Sequence, residues 1–195
     1  MGYRCAMLAP TAPKAPKKPH SRSLHGSTVE DPWFWLRDKT DSEVLSHIEA
    51  ENEYASAILE PTSGLQEEIF SEIKYRTQET DLAVPAQKGD YWYATRTEEG
   101  KSYAIRLRMR GGPDGASELV LDENAEAEGN DYFRLGNFSV SSDHRLVAYS
   151  VDTTGAESYT TRIREIATQQ NLPDVLRECR YGLAWSSDGA HLFYT

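Results

Sequence analysis

An eleven-residue stretch of this chain occurs twice, and the repetition limits what the chain can fold into. Val140-Ser141-Ser142-Asp143-His144-Arg145-Leu146-Val147-Ala148-Tyr149-Ser150 aligns without a gap on Trp185-Ser186-Ser187-Asp188-Gly189-Ala190-His191-Leu192-Phe193-Tyr194-Thr195. Each copy runs from an apolar residue through Ser-Ser-Asp and a turn residue into an apolar segment closed by Tyr and a hydroxyl residue. The offset, from 140 to 185, is 45 residues. A second echo precedes it: Tyr93, Tyr103, Arg106 and Leu107 match Tyr149, Tyr159, Arg162 and Ile163 at an offset of 56. Repeats of about 40–50 residues built from short strands suggest β-propeller blades. One small sheet cannot bury both of its faces, so it must stack on a neighbour. Ser-Asp-Gly is a common hairpin sequence, and a single match would carry little. Two echoes in the same chain order favour the repeat.

Charge is unevenly placed. All 31 acidic residues lie from Glu30 onward, whereas residues 1–29 carry Arg4, Lys14, Lys17, Lys18 and Arg22. That segment is +5, and a whole-chain net of −10 leaves −15 for the rest. An acidic body argues against a nucleic-acid partner and suits a cationic substrate or plain solubility. No apolar run approaches the roughly 20 residues that span a bilayer, so no membrane partner is expected. Cys5 and Cys179 are too far apart to suggest a disulfide framework or a zinc pattern. His20, His25, His47, His144 and His191 show no metal-ligand spacing. No metal and no cofactor is expected, and the default compartment is reducing and cytoplasmic. Met7-Leu8-Ala9 is too short for the core of a signal peptide. Met1-Gly2 is followed by Ala6 where a myristoylation signal wants Ser or Thr.

The chain divides into three parts. Residues 1–19 hold Pro10, Pro13, Pro16 and Pro19 among lysines and alanines, which reads as a disordered arm. Residues 20–80 form an N-terminal helical segment. Its start, Asp31-Pro32-Trp33-Phe34-Trp35-Leu36-Arg37, is the densest aromatic cluster in the chain. Such a cluster is either a docking element for another domain or a local core plug. Thr40-Asp41-Ser42-Glu43 has the form of a capping box ahead of a helix with Val44, Ile48, Ala55 and Ile58 on one stripe. Glu60-Pro61 breaks that helix, and Ser63-Gly64-Leu65-Gln66 can cap a second, with Leu65, Ile69 and Ile73 at helical spacing. A helical hairpin of this kind is marginal alone and needs a partner surface.

Residues 81–195 turn to short strands with hairpin turns. Leu82–Pro85 reads as an edge strand ended or bulged at Pro85, and Asn171-Leu172-Pro173-Asp174 as a turn into a strand. Asp122, Glu123, Glu126, Glu128 and Asp131 gather in what reads as an exposed, solvated acidic loop. About two blades are present, where closed propellers have about 4–8. No Gly-x-Ser-x-Gly elbow, Gly-x-Gly-x-x-Gly, P-loop or His-Glu-x-x-His occurs. The sequence therefore offers architecture and no catalytic, cofactor-binding or metal residue.

Several segments resemble one family. Asp31–Arg37 is similar to the opening motif of the prolyl oligopeptidase family of serine peptidases, Asp-Pro-Tyr/Trp-x-Trp-Leu. Glu49-Ala50-Glu51-Asn52 with Tyr54, Glu79–Pro85, Lys88–Tyr93 and Arg96–Lys101 follow in the same order. The run Leu121–Asn124, Glu128–Phe133, Leu135-Gly136 and Ala148–Gly155 is similar to the oligopeptidase B branch. The resemblance covers residues 19–195. It implies the first part of a seven-bladed propeller, an incomplete one here, beside a helical segment that docks on a C-terminal α/β-hydrolase domain absent from this chain. It also implies hydrolysis of short basic peptides after Arg or Lys, the propeller limiting substrate size. The family's Ser, Asp and His lie in the missing domain, so no catalytic residue is carried over. The acidic groups that hold the basic side chain lie mainly there too, with Glu128 and Asp131 the candidate contributors from this chain. The competing reading is a non-catalytic propeller-type binding module, which would have no need of Asp31–Arg37 or the helical hairpin.

Overall fold

His25 and Gly26 both take positive φ, 52° and 77°, and the turn they make joins β1 (Ser21–Leu24) to β2 (Ser27–Glu30). This hairpin opens the described part of a computed structural model, which covers residues 10–195. Readings that fall on residues 1–9, those on Met1-Gly2, Arg4, Cys5 and Met7-Leu8-Ala9 among them, lie outside the described residues. The chain divides into two units, Met1–Thr77 and Gln78–Thr195.

In the first unit a 3-10 turn, Phe34–Arg37, carries the aromatic cluster. Helix α1 (Ser42–Leu59) follows, capped by Asp41, whose carboxylate accepts from the Glu43 amide at 2.8 Å. The cap is therefore Asp41 and not Thr40. The Thr40 amide and hydroxyl are already committed to the Asp38 carboxylate, at 3.0 and 2.8 Å. A 3-10 turn at Glu60–Thr62 separates α1 from α2 (Ser63–Arg76), as Pro61 requires. Ser63 lies inside α2, and Thr62 precedes it, bonding Leu59 O and Gln66 Nε2 at 2.7 Å each. Of the expected apolar stripes only Val44 is buried. Ile48, Ile58, Leu65, Ile69 and Ile73 are all exposed.

Residues 10–19 carry no helix or strand, yet 16–18 depart from the expected solvated arm. The Lys18 amide donates to Pro32 O at 2.9 Å and Trp35 Nε1 donates to Pro16 O at 3.0 Å. The Lys18 ammonium lies 4.2 Å from the Trp35 ring centroid and 2.7 Å from Glu43. Proline had already stiffened this backbone, so little entropy opposes the contact.

The second unit is built of antiparallel sheets. Strands β3 (Asp81–Leu82) and β4 (Ala86–Lys88), separated at Pro85, both pair with β5 (Tyr91–Thr97). β6 (Ile105–Arg110) and β7 (Ser117–Asp122) complete that sheet, and a short helix α3 (Glu123–Ala127) follows. The next sheet runs in order through β8 (Arg134–Val140), β9 (Leu146–Asp152), β10 (Tyr159–Glu165) and β11 (Gln170–Cys179). Pro173 falls within β11 rather than in a turn. It is tolerated because β11 is an edge strand and its register with β10 shifts between Arg162 and Arg164. β12 (Leu183–Trp185) and β13 (Leu192–Tyr194) form a last hairpin. The architecture is two propeller blades and the first hairpin of a third.

The two copies of the repeat carry the same bonds. Ser141 Oγ donates to Asp143 at 2.7 Å and accepts from the Leu146 amide at 3.0 Å; Ser186 Oγ does the same with Asp188 and His191 at 2.6 and 2.9 Å. Each aspartate then accepts from the amide two residues on, at 3.1 and 3.0 Å. The turn residues His144 and Gly189 both sit at left-handed φ, 60° and 69°. One serine and one aspartate thus close each hairpin and deliver its second strand in register.

Blades are sealed by an apolar layer of Val120, Val140, Val147 and Ile166, with Tyr93 and Phe138 packed against it. Each buried valine contributes about 1.5–3 kcal/mol relative to exposure. Polar ties cross the same seam: Lys88 Nζ donates to Val140 O at 2.9 Å and Gln169 Nε2 to Leu119 O at 2.9 Å. Trp185 Nε1 donates to Ser139 O at 3.0 Å, linking β12 to β8.

Two motifs of the second blade have clear physical causes. Gly136 has no space for a side chain, because a Cβ there would lie 2.5 Å from the fully buried Tyr159 ring. Asp152 is buried, and its carboxylate accepts from the Thr154 amide and hydroxyl, the Gly155 amide and the Glu157 amide at 2.8–3.1 Å. Burial raises its pKa, but these donors outweigh burial and hold it below the ordinary value.

Gly136→Ala is expected to destabilise the fold by about 1–3 kcal/mol through that clash; an unchanged urea midpoint would contradict the packing. For Asp152 the native pKa is the lower one, so its stabilisation is held above the unfolded value of about 3.9 and lost as pH falls through the native value. Asp152→Asn should therefore lower the urea midpoint at pH 7, with the gap to wild type closing in acid. A gap that stayed constant with pH would show that charge is not what holds the turn.

Candidate functional site

The acidic residues after β7 are not a loop of free carboxylates. Asp122 caps α3 by accepting from the Asn124 amide at 2.9 Å, and Asn124 brackets the Tyr103 backbone with bonds of 3.0 and 2.9 Å. Glu123 is buried against Arg106 Nε at 2.7 Å. Glu126 lies 2.6 Å from Arg164 and 3.0 Å from the Tyr149 hydroxyl, which also meets Asn171 at 3.0 Å. Burial, then the Glu126 charge, pushes the Tyr149 pKa up to about 12. These pairs fasten α3 to both blades and leave no carboxylate of the three free for acid–base work. Glu128 and Asp131 remain exposed.

Hydroxyls and imidazoles do not form a nucleophile among the described residues. Ser141 and Ser186 serve their own turns. His144 Nδ1 faces the Tyr93 hydroxyl at 2.8 Å, His20 stacks on Phe34 at 3.8 Å, and His47 faces Glu51 at 3.8 Å. No group of three His, Cys, Asp or Glu side chains among the described residues could hold a metal ion. Cys179 is buried.

Two surfaces remain as candidates, one in each unit. In the second unit a cleft of about 250 Å³ opens at the blade seam between Ala83, Val84, Tyr93, Arg106 and Phe138. Its one cation, Arg106, is already neutralised by Glu123. The cleft can take apolar groups and offers no reacting atom. In the first unit the aromatic cluster borders a cleft of about 420 Å³ lined by Phe34, Trp35, Arg37, Asp38 and Asp41. Arg37 lies 4.7 Å from the Phe34 ring, and Trp33 is 46% exposed. Phe34 and Trp35 are thus partly plugged by His20, Arg37 and the arm, while Trp33, with the Lys17 ammonium 5.4 Å from its ring, and the helical stripes stay largely exposed. The local-plug reading holds in part, for Phe34 and Trp35. Sequence reasoning missed the structural roles of Glu123, Glu126 and Arg164. The local signal was Asp122-Glu123-Asn124, a cap followed by helix formers.

No helix among the described residues is long and apolar enough to cross a membrane. Comparison with known proteins agrees with the architecture. The family model described as the prolyl oligopeptidase N-terminal beta-propeller domain matches residues 13–195. Dipeptidyl aminopeptidase BI of Pseudoxanthomonas mexicana is 36% identical over 94% of this chain and 28% of its own length. Protease 2 of Moraxella lacunata is 33% identical over 91% of this chain and 27% of its own. The solved structure of oligopeptidase B from Leishmania major superposes with a TM-score of 0.84 at 30% identity, covering 94% of this chain and 29% of that one. The chain spans little more than a quarter of the length of the curated relatives it matches. From the paired hairpins, the blade seam and these matches, the chain belongs to the prolyl oligopeptidase family, as a part of its N-terminal β-propeller domain with the helical segment that precedes it.

Proposed function

We propose that this chain is the N-terminal portion of a serine oligopeptidase that hydrolyses short peptides after Arg or Lys. The observation that carries the reading is the uncovered apolar surface of the first unit. Trp33 and the stripes of α1 and α2 are exposed, although apolar area of this kind is favoured in contact rather than in water. A C-terminal α/β-hydrolase domain is the partner that such a surface serves. That domain supplies the Ser-His-Asp chemistry, in which serine attacks the scissile carbonyl, histidine moves the proton and aspartate orients the histidine. The propeller admits only small, unstructured peptides. Its acidic body, with Glu128 and Asp131 exposed, attracts cationic ones. The setting proposed is cytoplasmic.

Oligopeptidase B from Trypanosoma brucei, 31% identical, has been solved in a closed form with covalently bound antipain. Covalent capture of a peptide-like inhibitor fits nucleophilic catalysis in a relative. The intact protein is expected to cleave fluorogenic peptides with Arg or Lys before the bond and to leave those with Pro or Ala there uncleaved, while residues 1–195 alone release no fluorophore. Preference for Pro or Ala would overturn the basic specificity. Turnover by residues 1–195 alone, blocked by a serine-directed inhibitor, would overturn the placing of the nucleophile outside this chain.

A further inference from the structure

The turn between β8 and β9 does more than reverse the chain. His144, at its left-handed position, projects its ring into the first blade. The imidazole lies 5.1 Å from the Tyr91 ring and stacks on Tyr93 at 6.0 Å. Its Nδ1 is 2.8 Å from the Tyr93 hydroxyl. Its Nε2 sits where a side chain on Gly89 would be, 2.5 Å from an ideal Cβ, so glycine at 89 is what admits the ring. The His144 carbonyl also accepts from Arg108 Nη1. One residue therefore touches β5, β6 and the β4–β5 turn of the neighbouring blade. In the repeated hairpin Gly189 holds the same backbone conformation with no side chain. The imidazole is thus not needed to make the turn.

The ring's surroundings favour its neutral form. From the first blade it faces Lys88 on β4, Asp90 in the turn, Tyr91 and Tyr93 on β5, and Arg108 on β6. Arg108 is paired with Glu118 on β7 at 2.8 and 3.0 Å, and the Arg110 guanidinium lies 5.8 Å from the centroid of the Tyr91 ring. Asp143 is the charged neighbour on its own turn. Asp90 and Asp143 favour a charged imidazole, but burial, Lys88 and Arg108 outweigh them and lower its pKa. Neutral, Nδ1 can accept the Tyr93 O–H. Charged, it becomes a donor facing that hydroxyl, beside two cations.

We propose that His144 is a pH-sensitive latch between the first two blades, closed while the imidazole is neutral and slackened when it gains a proton. The sign follows from the depressed native pKa. The contribution is complete above the unfolded value of about 6.5 and is lost as pH falls through that value to the lower native one.

Hydrogen exchange of the intact protein at pH 7.5 and pH 5.5 tests the latch, comparing wild type with His144→Asn, since asparagine tolerates left-handed φ. Comparison at equal pH cancels the intrinsic exchange rate at every amide except 144 and 145, which flank the substitution and are corrected for it. At pH 7.5 the amides of residues 141–146 should be better protected in wild type, and at pH 5.5 that advantage should be smaller. Residues 186–191 should exchange alike in both proteins. An advantage of the same size at both pH values would overturn the proposal. Should His144→Asn fail to fold, Tyr93→Phe, which removes the hydroxyl partner, is expected to shrink the pH-dependent loss of protection in 141–146. A loss as large as in wild type would overturn it equally.

Discussion

A small antiparallel sheet with two apolar faces is stable only when another sheet covers it, and that requirement governs the second unit of this chain. Val120 of the first blade packs in one layer with Val140, Val147 and Ile166 of the second, so the two sheets share buried apolar surface. The hairpins that deliver Val140 and Val147 must therefore be in register before the seam can close. Ser141 with Asp143, and Ser186 with Asp188, fix that register with the same local bonds. Polar ties from Lys88, Arg108, Gln169 and His144 also cross the seam, each adding about 0.5–1.5 kcal/mol net.

What the sequence revealed and what it concealed divide by distance along the chain. The repeated turns were legible because every bond in them spans five residues or fewer. The two helices and the break at Pro61 were legible for the same reason, whereas the strand expected over Leu82–Pro85 ends at Leu82. Glu123 and Glu126 looked like solvated carboxylates because their partners, Arg106 and Arg164, lie 17 and 38 residues away. Lys18 looked like part of a free tail because Glu43 is 25 residues on. Pro173 was misplaced because a bulged edge strand and a turn look alike without knowledge of which strand is outermost. His144 was legible as a turn residue, and its contacts with Tyr91, Tyr93 and Gly89 were not. Its repeat partner is a glycine, a difference that marks the side chain as dispensable for the turn and free for another purpose.

The first unit presents the opposite case from the blades. Its helices form where capping and apolar periodicity place them, but their stripes stay exposed, with Val44 the one buried apolar residue of the two. The arm covers one side of Trp35 and a stacked histidine covers Phe34, which accounts for part of the aromatic cluster. Trp33 and the helical faces are the remainder, and the proposed docked catalytic domain would account for them. In that reading Asp31–Arg37 is a joint held internally by the arm and used externally by the partner. The absence of a nucleophile elbow from this chain and the uncovered surface are then two consequences of one division of labour.

The most direct measurement of that division is the intact mass of the protein in its source cells, captured through an epitope in residues 41–76 after labelling with a serine-reactive fluorophosphonate probe. The account predicts a labelled species several times heavier than the 22.0 kDa of this chain, with the label outside residues 1–195. A product of about 22 kDa that carries no label would contradict it and leave the propeller blades as a binding module.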